Sequence, residues 1–185
     1  MSAHRQTRYQ VRFDWGEGGA ARVADGAHVV VVVDQLDGHG SSSTRAAVER
    51  IARHAPAGAS VLHATTASAA DAARYVLDAQ AARGDRAIVA IVAVGADDPT
   101  GFRPCVEDLL AAGAVVDALA ARGIDFSSPE AAAACAAAVS LQKAAGHLLT
   151  ASSSAAEVTE AGGTVATIAD RSPQVDVIRE FSVTA

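Results

Sequence analysis

The chain has two cysteines in 185 residues. Cys105 and Cys135 stand far apart and follow no metal-ligand spacing, which argues against a disulfide framework or a zinc module and predicts a reduced, cytoplasmic protein with structural thiols. Positive charge is also scarce, with 15 Lys and Arg against 21 Asp and Glu and a net charge of −6. The basic residues are scattered rather than clustered, so neither nucleic acid nor an anionic membrane is an expected partner. No apolar run approaches the roughly 18 residues that a membrane helix needs, and no apolar signal core opens the sequence. G-x-x-x-x-G-K-[ST], G-x-G-x-x-G, G-x-S-x-G and H-E-x-x-H are all missing, and the nucleotide-binding, hydrolase-elbow and zinc-protease readings lose their signatures with them.

What is present is hydrophobicity, at 50% of residues, enough for one sizeable core over a single domain spanning 1–185. Apolar runs at 9–13, 29–33, 60–64, 88–94 and 165–169 predict strands, and capped helical patterns lie between most of them. A short helix fits 16–24. Ser68 and Asp71 match a capping pattern before a helix that stops at Gly84, while Pro104–Arg122 and 129–149 read as helices, the latter capped by Ser128. Ser154 and Glu157 form another capping pair, and the tail VDVIREFSV reads as either a helix or an edge strand. Strand alternating with helix predicts an α/β fold, a three-layer α/β/α arrangement with a largely parallel sheet.

In such a sheet, ligands bind outside the carboxyl ends of the strands. Asp34 directly follows five valines and is the first candidate for a functional residue. Acids also fall at Asp97–Asp98 and at Glu107–Asp108. Hard oxygen ligands at strand ends suit Mg²⁺ held together with substrate phosphate oxygens, so Asp34, Glu107 and Asp108 form the expected metal set. First-turn acids are equally favoured by the helix macrodipole, and Asp97–Asp98 before Pro99 fits an ordinary turn. The hydroxyl run at 41–44, including Ser42, Ser43 and Thr44, either cradles an anion or caps its helix, and Thr65, Thr66 and Ser68 repeat the arrangement. His39 and His63 lie near the same edge, and His39 is the candidate acid/base group beside Asp34. Arg103 is a further candidate phosphate donor.

The segments YQVRFDWGEGGAARVADGAHVVVVVDQL at 9–36, RPCVEDLLAAGAVVDAL at 103–119 and SSPEAAAA at 127–134 resemble the 2-phosphosulfolactate phosphatases of coenzyme M biosynthesis. The resemblance is collinear over most of the chain. It implies a three-layer α/β/α fold with a mixed sheet, Mg²⁺ dependence and hydrolysis of a small phosphorylated metabolite, the phosphate ester of a sulfonated hydroxy acid. Asp34 stands on that family's aspartate after the valine strand, and Glu107–Asp108 on its E-D pair. Departures occur where the family has an arginine-containing stretch, here 37–40, where T-N-G-T reads Thr65-Thr66-Ala67-Ser68, and where G-E-R reads Gly95-Ala96-Asp97. These departures favour a rival reading, a catalytically silent relative serving as a binding or assembly module. Alanine-rich helices such as 129–149 offer a surface for a homo-oligomer or for packing within the chain.

Overall fold

In a computed structural model, which describes residues 3–37 and 43–180, a five-stranded sheet carries helices on both faces. In chain order the elements are β1 (Val11–Trp15), α1 (Gly16–Val23), β2 (Val29–Val33), α2 (Thr44–Ala52), β3 (Ser60–Ala64), α3 (Ala69–Arg83) and β4 (Val89–Ala93). A hairpin of β5 (Ala96–Asp98) and β6 (Gly101–Arg103) follows, then α4 (Val106–Ala120), α5 (Pro129–Leu141), α6 (Ala145–Thr150), α7 (Ser153–Glu160) and β7 (Asp176–Arg179). The strand order is β1-β4-β2-β3-β7, parallel except for β7, which runs antiparallel to β3. The fold is therefore the expected mixed, largely parallel α/β/α arrangement.

β2 is apolar at every position because both its faces are covered. Val29, Val31 and Val33 enter the core built with α3, α4 and α5, whereas Val30 and Val32 enter a second core under α1 and α2. This two-residue alternation continues past the strand, so Asp34 falls on the α1/α2 side and Gln35 on the α3/α4 side. α4 and α5 cross closely at Gly113, where a Cβ would lie 2.1 Å from the carbonyl oxygen of Ala134.

Several boundaries differ from expectation. The first strand is shifted to 11–15, and the helix expected from Pro104 begins at Val106. The helix expected over 129–149 breaks into α5, a 3₁₀ turn at Gln142–Ala144 and α6. The strand expected at 165–169 is not one. Thr167 and Asp170 close a capping box around a 3₁₀ turn at Ile168–Asp170, and this local bonding wins over the apolar pattern. The tail instead supplies the edge strand, β7. Ser128 caps α5 and Gly84 ends α3 in the left-handed region. The Ser68 side chain makes no cap bond to α3, and α7 is capped by Ser152 rather than Ser154. Among the described residues, no helix is long and apolar enough to cross a membrane.

Candidate functional site

The carboxyl ends of β1, β2 and β4 open into a cavity of about 410 Å³ between α1 and α2. Asp34 lines it although only 4% of its surface is exposed. Opposite stands the first turn of α1. This helix has no side-chain cap, so its leading N–H groups carry the positive end of the helix dipole towards the cavity wall formed by Gly16 and Gly18.

The R-F-D-W-G segment explains how that wall is held. The buried Arg12 guanidinium donates to the carbonyls of Val23 at 3.1 Å and Asp25 at 2.7 Å, fastening the far end of α1 to β1. Asp14 grips Arg22 with two bonds of 2.7 and 2.9 Å to Nε and Nη2. Arg22 is thereby fixed on the cavity wall, and Asp14 leaves Nη1 unused. α2 contributes Arg50, whose Nε lies 3.8 Å from Glu17. Gly16, at φ +58°, and Gly95, at φ +67°, turn the backbone at the mouth.

Asp108 sits behind this cavity, fully buried, and is not among the residues described around it. Its Oδ1 accepts the N–H of Gln35 and its Oδ2 the N–H of Gly95, each at 2.8 Å. One carboxylate from the first turn of α4 thus ties the ends of β2 and β4 together. Burial, and then the charge of Asp34, push its pKa well above the usual carboxylate range against the pull of those two N–H donors. Glu107 is buried beside it, and its Oε1 has no hydrogen-bond partner among the described residues.

Arg171, beyond α7, was absent from the sequence candidates. Burial lowers its guanidinium, and the charges of Asp34 and Asp108 oppose that shift, so it lies within electrostatic reach of both acids.

The remaining candidates have other employment. Ser43 caps α2, accepting the N–H of Ala46, while Asp37 accepts the N–H of Thr44 at 2.8 Å. The 65–68 turn is bonded to itself: Ser68 Oγ accepts the N–H of Thr65 at 3.0 Å, and the N–H of Thr66 is taken by Gln35 Oε1 at 2.8 Å. Thr65 Oγ1 is buried and has no hydrogen-bond partner among the described residues. Arg103 donates to Glu157 at 2.9 Å and lies 4.0 Å from Asp98, anchoring the β5–β6 hairpin. His63 faces two acceptors, the main-chain oxygen of Asp34 at 3.2 Å and the carboxylate of Asp176 at 3.3 Å. His39 and Ser42 lie outside the described residues.

Among the described residues, no three His, Cys, Asp or Glu side chains gather around one point as a metal cage. Mg²⁺ needs only one or two carboxylates when substrate phosphate and water complete its shell. Asp34, a buried acid on the cavity wall, could take that role.

Sequence reasoning missed Trp15, Arg22, Arg50 and Phe102, all on the cavity wall. The available signal was the glycine-rich turn Gly16-Glu17-Gly18-Gly19 directly after the first strand, to which the carboxyl-end rule applies as it does to Asp34. No family model and no curated protein sequence matches the chain.

Proposed function

We propose that the protein is a Mg²⁺-dependent phosphatase acting on a small phosphate monoester bound in the cavity between α1 and α2. The observation that carries this reading is the convergence of one buried carboxylate, two arginines and an uncapped helix N-terminus on a single space. An acid and an anion receptor facing each other are what metal-assisted phosphoryl transfer requires.

Asp34 would hold the cation, with substrate oxygens and water as its other ligands. Mg²⁺ bound there supplies Lewis-acid polarisation of the phosphoryl group. Arg22 and Arg50 orient the phosphate oxygens, and the first N–H groups of α1 stabilise charge that accumulates on them. Asp108 acts as a positioning residue by fixing the strand ends that carry Asp34 and Gly95. The resemblance to 2-phosphosulfolactate phosphatases supports the reaction class. Arg22 and Arg50 stand in for the guanidinium groups missing at 37–40 and 95–97.

A second reading, a catalytically silent binding module, is favoured by two observations. Both oxygens of Asp108 are occupied by backbone N–H groups, and Arg171 already answers the charge of Asp34.

A screen of phosphorylated hydroxy acids and simple phosphate monoesters, with and without Mg²⁺, separates the two. The expected result is Mg²⁺-dependent phosphate release that Asp34→Asn abolishes, with weak turnover of 2-phosphosulfolactate itself because the family's asparagine and G-E-R residues are missing. Absence of Mg²⁺-dependent release from every compound refutes the phosphatase and leaves the silent module.

A further inference from the structure

Phe102, on β6, is a large apolar side chain with 46% of its surface exposed, and it lines the cavity that holds Asp34, Arg22 and Arg50. Its ring is seated by design of the backbone. A Cβ on Gly95 would fall 2.7 Å from the ring, and one on Gly16 would fall 2.9 Å from it. Only the two bare glycines let the aromatic edge lie over both turns. Trp15 meets it edge-to-face, with centroids 6.4 Å apart.

The hairpin that carries the ring is pinned on either side. Asp98 accepts the N–H of Thr100 at 2.7 Å and closes the turn, and Arg103 ties the return strand to Glu157 on α7. The ring is therefore held before any ligand arrives, with nearly half of the residue's surface exposed. An exposed aromatic wall beside an anion receptor matches a ligand with a charged head and a planar apolar body. About 410 Å³ gives room for more than a phosphate.

We infer that the cavity takes phosphate monoesters whose alcohol carries a planar ring, with the phosphate at the α1 N-terminus and the ring against Phe102 and Trp15. This rests on the anion-binding reading of the same cavity. It replaces the sulfonated hydroxy acid of the resembling family by an aryl-type alcohol, because the wall next to the phosphate position offers aromatic surface.

The test uses two non-hydrolysable probes that share a headgroup, phenylphosphonate and methylphosphonate, titrated by calorimetry into the full chain with Mg²⁺ and followed in parallel by fluorescence. Trp15 is the chain's single tryptophan and lies on the cavity wall, so its emission reports binding without any turnover. The expected result is about ten-fold tighter binding of phenylphosphonate, the size of an aromatic contact added to ordinary burial. Phe102→Ala should remove most of that advantage while leaving methylphosphonate affinity unchanged, and Phe102→Leu should retain part of it. Equal affinities for the two probes, or an advantage that survives Phe102→Ala, overturn the aromatic assignment alone. If neither probe binds at millimolar concentration, the anion site fails and this assignment fails with it.

Discussion

Asp108 gives the sharpest test of how the site is held together. Its two oxygens each accept a backbone N–H at 2.8 Å, one from the end of β2 and one from the end of β4. A buried N–H that loses its acceptor costs about 1–3 kcal/mol. Asp108→Ala leaves two such N–H groups without a partner, so it should cost about 2–6 kcal/mol. Asp108→Asn keeps one carbonyl acceptor and turns an NH₂ towards the other N–H. With one acceptor kept, its cost should be about half, roughly 1–3 kcal/mol. A typical domain has about 5–15 kcal/mol in total, which leaves the asparagine variant folded and measurable even if the alanine variant is not. Urea unfolding at pH 7, followed by far-UV circular dichroism, gives both values. Alanine and asparagine variants of equal stability, or losses below about 1 kcal/mol for both, would show that this carboxylate is not the clamp. Weakened Mg²⁺ binding in the asparagine variant without any stability loss would return Asp108 to the metal set.

Two other outcomes bear on the scaffold. Gly113→Ala places a Cβ 2.1 Å from the Ala134 carbonyl oxygen, a clash with backbone that α4 and α5 can relieve only by separating; a loss of about 3 kcal/mol or more in the same urea assay is expected, and a neutral result would mean that the two helices do not cross here. His28 accepts the N–H of Ile88 through Nδ1 at 2.8 Å, and burial, reinforced by Arg83, holds its pKa below the ordinary 6.5. Because the unfolded chain takes up a proton at His28 before the folded one does, stability should be complete above pH about 6.5 and decline as pH falls through the window below it. His28→Asn, which keeps an acceptor but cannot titrate, should flatten that decline, and an unchanged pH profile in the variant refutes the assignment.

The parallel core was legible because its physics is local. A short β-branched apolar run bounded by polar turns favours a strand covered on both faces, and β2 and β4 follow that pattern. Asp34 was legible for the same reason, since the strand period assigns it to one side of the sheet. The hydroxyl residues were ambiguous because capping, turn closure and anion binding use the same atoms. Ser43 capped its helix and Ser68 closed its turn. Asp97–Asp98 before Pro99 did form a turn, with Asp98 accepting from Thr100. What spacing alone could not reveal is convergence. Arg22, Arg50 and Arg171 sit on three segments that only the tertiary fold brings towards Asp34, and the sequence carries no periodicity that announces it.

The strand order β1-β4-β2-β3-β7 sets a schedule for assembly. β2 and β3 are neighbours in both sequence and space, but among the described strands β1 pairs with β4 alone, so Val11 waits for Val89 to be synthesised before it acquires a strand partner. Non-local parallel pairing of this kind is slow, and unpaired apolar strands are the species that aggregate. Until β4 slides between β1 and β2, the five valines of β2 have an open flank, making this interval the one in which a nascent chain most needs a chaperone. The same insertion brings Trp15 from β1, Asp34 from β2 and Gly95 from β4 to one rim. The cavity rim is therefore absent from any half-folded intermediate and is completed only in the step that closes the sheet.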